Sequence, residues 1–189
     1  MKNILHIGAV SLLALGLGAC TGMVVVQDFP GPRHAYFDGD FEYATRDGAI
    51  VTEVAGNPFA MPKQRFDDAV RRLMYGQTLG MPVTFAKSPT PGKTDPHYKV
   101  VVAFNPPPGV SAFDLCEQGA ATPTRGTGGE VNMAIAFCIG DDLKSDTSGF
   151  TSSVAGLAAP RFAQLVREVT LALIPVQDGQ ETGEGNAMP

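Results

Sequence analysis

The run His97-Tyr98-Lys99-Val100-Val101-Val102-Ala103-Phe104 is unbroken in apolar character from Val100 onward, and Asn105-Pro106-Pro107-Pro108-Gly109 shuts it off. Valine is branched at Cβ and favours a pleated backbone. Prolines donate no ladder hydrogen bond, so the run reads as a strand with an abrupt end. The lack of polar alternation points to burial on both faces.

Outward from it, Val131 to Ile139 is a second strong strand with Cys138 near its end, closed by the charges of Asp141 and Asp142. Ala49 to Ala55, between Gly48 and Gly56, is a third, and Met81 to Ala86 a weak fourth. A helix starts near Pro62 and carries Phe66, Ala69, Val70, Leu73 and Met74 on one stripe. Asp67 and Asp68 sit early in it and Arg71 and Arg72 late, as the helix dipole favours. Arg65, Arg71 and Arg72 read as a solvated face, because carboxylates lie within one turn of them. A second helix opens at Pro160, presents Phe162, Leu165, Val166, Val169 and Leu173, and stops at Pro175. Ser111 to Cys116 reads as a short turn of helix or strand, and Gly119 to Gly129 and Lys144 to Gly156 as polar loops.

Two amphipathic helices must cover an apolar surface, and the strands supply one. The expected fold is α+β, with about four strands, mostly antiparallel, and both helices packed on one face. A parallel crossover is expected only between the first strands. Residues 49–175 form a single domain, and the acidic, glycine-rich tail 176–189 is expected to be disordered. Residues 20–48 show no sustained period and read as a tether with partial docking of its aromatics, which as a free coil spans roughly 30 Å.

Before the tether stand Lys2, an apolar run from Ile4 to Leu17, and the ending Leu17-Gly18-Ala19-Cys20. From Ile4 to Ala19 there are sixteen positions, interrupted only by His6, Ser11 and glycines. That is short of the roughly 20 residues of a spanning helix and suits a signal-peptide core. The ending resembles the lipobox of bacterial lipoproteins, a likeness confined to the first tenth of the chain. It implies cleavage of residues 1–19, acylation of Cys20 and a mature protein anchored at a membrane. Two or more acyl chains hold where one is marginal. Thr21 rather than Asp follows the cysteine, which by resemblance to proteobacterial sorting rules favours the outer membrane over the inner.

With Cys20 assigned to lipid, the chain's three cysteines leave the pair Cys116 and Cys138. Outside the cytosol such a pair is expected to form a disulfide. A metal or redox role would need a C-x-x-C spacing or nearby histidines, which are missing.

Fourteen basic residues against nineteen acidic ones give a net charge of −5, which argues against nucleic acid and against a polybasic membrane patch. Asp38, Asp40 and Glu42 lack the glycine that a calcium loop needs, since Tyr43 stands there. Gly92-Lys93-Thr94 lacks the earlier glycine and the following helix of a P-loop. No G-x-S-x-G elbow occurs, and after cleavage only His34 and His97 remain as bases. No catalytic residue, metal or cofactor is therefore assigned. The expected function is a non-enzymatic accessory or partner-binding component of a cell-envelope assembly, facing the periplasm; the organisation is similar to accessory lipoproteins of transport and secretion systems. The alternative is an envelope hydrolase using paired carboxylates among Asp114, Asp141 and Asp142. A small-ligand binder with Tyr36 to Tyr43 as a lid stands lower.

Overall fold

The computed structural model describes residues 24–27, 39–78, 81–126 and 129–174. The leader, Cys20 and the tail 176–189 lie outside these residues. In chain order the elements are β1 (Val25–Gln27), α1 (Asp40–Ala44), β2 (Ala49–Ala55), α2 (Lys63–Met74), β3 (Thr84–Ala86), β4 (Tyr98–Phe104), α3 (Ala112–Gln118), β5 (Glu130–Ile139), β6 (Asp142–Ser152) and α4 (Pro160–Ala172), with a 3-10 turn at Gly119–Ala121.

The class is α+β, but the sheet is larger than expected: six strands in the order β1-β6-β5-β4-β2-β3. It is mixed. β2 runs parallel to both β3 and β4, with α2 in the crossover, while β4, β5, β6 and β1 are antiparallel in turn. Four α-helices are described rather than two. Two of the added elements, β1 and α1, come from the stretch expected to be tether.

The third addition, β6, replaces the polar loop expected from Lys144 to Gly156. Its burial alternates strictly, with Leu143, Ser145, Thr147, Gly149 and Thr151 inside. The period of two is present, but hydroxyl residues and glycine carry most of it, so hydrophobicity does not register it. The register puts Ser145, Thr147, Gly149 and Thr151 opposite Phe137, Ile135, Met133 and Val131. A two-residue turn joins β5 to β6. Its first residue, Gly140, has φ +60°, a conformation glycine adopts without steric cost, so Asp141 sits in the turn rather than ending a strand.

One face of the sheet bears the main core. Ile50, Val54, Val100, Val102, Phe104, Met133, Ile135 and Phe137 meet Phe66, Val70 and Met74 of α2 and Phe162, Leu165, Val166 and Val169 of α4. Phe66 packs edge-on to Phe104 with ring centroids 4.9 Å apart, and Phe41 of α1 packs edge-on to Phe137 at 5.3 Å. α4 approaches β6 closely at Gly149. A Cβ there would lie 2.7 Å from Val169 Cγ2 and 2.8 Å from the Val25 carbonyl oxygen. The opposite face bears a smaller core of Ala55, Val101, Ala103, Ala136, Cys138 and Leu143 under Leu115 and Cys116 of α3.

Arg71 departs from the expected solvated face: it is buried to 9 % exposure. Arg65 and Arg72 are exposed. The reason lies in the short β3, which pairs with β2 only as far as Val51. Beyond that point the β2 edge offers carbonyls without a strand partner. Arg71 Nη1 donates to the Thr52 carbonyl at 3.3 Å and Lys63 Nζ to the Val54 carbonyl at 2.7 Å. Two cations of α2 thus close an edge that would otherwise template another strand.

Candidate functional site

Cys116 and Cys138 form a disulfide with Cα atoms 5.7 Å apart, both side chains fully buried. It fastens α3 to β5. The helix starts in a capping box: the Asp114 backbone N–H donates to Ser111 Oγ at 3.2 Å, and the Ser111 backbone N–H donates to Asp114 Oδ2 at 2.7 Å. The Ser111 hydroxyl donates to the same carboxylate at 2.6 Å. These bonds hold the Asp114 carboxyl below the usual carboxylate range. Past the helix, the Ala120 N–H donates to Glu53 Oε2 at 2.6 Å, and Gly119, at φ +54°, leaves the room that this carboxylate fills. Between α3 and the sheet lies a shallow recess lined by Val110, Leu115, Ala134 and Asp146. It has room for about one water molecule, far below a ligand pocket of several hundred Å³.

The sheet has two poles. At one, β2 and β4 end and β5 starts; Phe104 pairs with Met133 there, and Glu130 with Ser152. At the other, β4 starts, β5 ends and the Gly140-Asp141 turn lies. α1 brings an exposed aromatic and ionic cluster to this second pole. The Arg46 guanidinium sits 4.2 Å from the Tyr43 ring centroid, a cation–π contact, and pairs with Asp95 at 3.5 Å. Tyr43 and Tyr98 meet edge to face at 6.0 Å, and His97 flanks Tyr98 at 5.9 Å. Lys99 pairs with Asp141 at 3.6 Å beside them. Burial, followed by the charges of Tyr43 and Asp95, pushes the Tyr98 hydroxyl above its ordinary range. Tyr43 remains 57 % exposed, so the cluster presents an aromatic face with both signs of charge around it.

The residues weighed in the sequence scatter over the molecule. Asp114 is engaged in the α3 cap, whereas Asp141 and Asp142 belong to the β5–β6 hairpin at the second pole. The lowered Asp114 carboxyl departs in the direction opposite to that of a general acid. Asp40 and Glu42 lie in α1, Asp38 and His34 fall outside the described residues, and among the described residues no group of three or more histidine, cysteine or acidic side chains is placed to hold a metal. Gly92-Lys93-Thr94 forms a local turn in which the Thr90 N–H donates to Thr94 Oγ1 at 2.7 Å. Sequence reasoning missed the Tyr43–Arg46–Asp95–Tyr98 cluster, which joins residues more than fifty positions apart. It also left the start of α3 open, although the spacing Ser111-x-x-Asp114 is a capping signal.

No protein-family description and no curated protein matches the chain. Among solved structures, the PelC dodecamer from Paraburkholderia phytofirmans and a point variant of it are similar in fold, with TM-scores of 0.42 and 0.41. Each is 14 % identical and covers 80 % of this chain and 98 % of its own. A likeness of that size bears on no residue of the surfaces described above.

Proposed function

We propose that the protein is a membrane-anchored lipoprotein of the cell envelope, acylated at Cys20, that serves as a non-enzymatic accessory or partner-binding component of an envelope assembly. The observation that carries this reading is Leu17-Gly18-Ala19-Cys20 behind a short apolar run. The buried Cys116–Cys138 bond supports export, since disulfides persist in oxidising compartments. In this reading the protein faces the periplasm, and Thr21 after the cysteine favours the outer membrane by resemblance to proteobacterial sorting rules. For a partner surface we favour the cluster of Tyr43, Arg46 and Tyr98, because exposed aromatics and arginine are the residue types that concentrate at protein contacts.

Cys20→Ala tests the anchor. Membrane fractionation should move the protein from the pellet to the soluble periplasmic fraction, and mass spectrometry should find acyl chains on wild-type Cys20. A wild type without acyl mass, or a variant that stays in the pellet with its leader removed, contradicts the lipoprotein reading.

A further inference from the structure

We propose that the protein stands end-on against the lipid surface, with the pole where β2 and β4 end toward the bilayer and the Tyr98 pole turned away. This rests on the acylation of Cys20 proposed above, and its ground is covalent reach. Val25 is fixed in the sheet opposite Phe150. Only five peptide units separate it from Cys20, and fully extended they span no more than roughly 17 Å. The free coil expected from residues 20–48 is therefore not available as a spacer.

The leash enters at one end of the molecule. Phe150 lies two residues before the end of β6 at Ser152, which pairs with the first residue of β5, Glu130. The other end of β6 reaches the Asp141 turn, and eleven residues of strand put roughly 30 Å between the two. A leash about half that length lets the near pole rest on the membrane and does not let the protein stand on the far one.

Side-chain charge of both signs stands at each pole. At the near pole Lys63 donates to the Val54 carbonyl at 2.7 Å and pairs with Asp67 at 2.6 Å, the Arg125 N–H donates to the Asn105 carbonyl at 2.8 Å, just past β4, and Glu130 opens β5. Arg161 lies in the first turn of α4, next to Phe162, whose ring is 5.8 Å from that of Phe104. Both α2 and α4 direct their N-termini to this end, adding the positive ends of two helix dipoles. The far pole carries Asp95 and Asp47, both paired with Arg46, Asp141, paired with Lys99, and Asp142.

The test uses the full-length acylated protein in vesicles of phosphatidylethanolamine and phosphatidylglycerol bearing an energy-transfer acceptor on a lipid headgroup. One donor fluorophore is attached at Ala155→Cys, an exposed position just past β6, or at Asp141→Cys in the far turn. The bonded Cys116 and Cys138 offer no thiol to the label. With the poles roughly 30 Å apart, transfer from position 155 should be at least about twice that from position 141. A flexible glycine-serine insert of about twenty residues after Thr21 should bring that ratio toward one; a ratio unmoved by the insert overturns the leash as its cause. Equal transfer from the two sites, or more from 141, overturns the orientation alone if Cys20 carries its acyl chains. Absence of those chains overturns the orientation and the lipoprotein reading together.

Discussion

Gly149 shows what a single residue decides in this molecule. Its missing side chain lets Val169 and Leu165 of α4 and the backbone of β1 converge on one point of β6. Gly149→Ala inserts a methyl group 2.7 Å from Val169 Cγ2, and overpacking of this kind costs about 1–3 kcal/mol. Urea denaturation should show that loss as a lower midpoint with an unchanged slope. Neighbouring Ser145 and Thr151 are buried on the same face, and their hydroxyls have no hydrogen-bond partner among the described residues. None of this was legible in Lys144-Ser145-Asp146-Thr147-Ser148-Gly149, which has a loop's composition. Arg71 was misread for a related reason. Asp68, one turn away, does pair with it at 2.8 Å, but only the three-dimensional fold brings it to the open carbonyl of Thr52.

At the scale of elements, α3 depends on its cap and its disulfide more than on packing, since its seven residues bury only Leu115 and Cys116 fully. Ser111→Ala should cost about 1 kcal/mol. The cap also gives the domain an acid limb. Because Asp114 is held below its ordinary range in the folded state, its contribution is fully present above the unfolded value of about 3.9 and is lost as pH falls through the lower folded one. Asp68, hydrogen-bonded to Arg71, is lowered too and adds in the same direction. Asp114→Asn should therefore flatten the fall of stability below about pH 4, measured by denaturation at several pH values. The helices α2 and α4 were legible from their apolar stripes because each buries a face at helical spacing. α1 was not, since five residues are too short for a period to show.

For the whole molecule, one sheet carries two cores of unequal weight. The α2–α4 side is built from phenylalanine, leucine, valine and methionine, and the α3 side largely from alanine and the cystine. The smaller side is the one that needs a covalent staple. Replacing both cysteines, Cys116→Ser with Cys138→Ser, should lower stability by on the order of 3 kcal/mol on the chain-entropy account. Hydrogen exchange should rise first in residues 112–121, while β4 and β5 stay protected by the larger core. Uniform loss of protection across the sheet would show instead that the two cores unfold as one. The class, the two long helices and the cysteine pair could be read from the chain. Strand number, the added helices and the second covered face could not.

The sequence by itself determined what depends on local pattern: the buried β4 strand between Lys99 and its prolines, and the amphipathic stripes of α2 and α4. Each is set by residues adjacent in the chain, so the pattern is complete without a partner. Only the tertiary structure decided that β1 and β6 extend the sheet, that Arg71 and Lys63 close the β2 edge, and that Tyr43, Arg46, Asp95 and Tyr98 gather at one pole. Those outcomes depend on a neighbour distant in sequence. A hydroxyl-lined strand becomes a core strand only when a sheet pairs with it, and an arginine is buried only when the fold supplies a carbonyl to receive it.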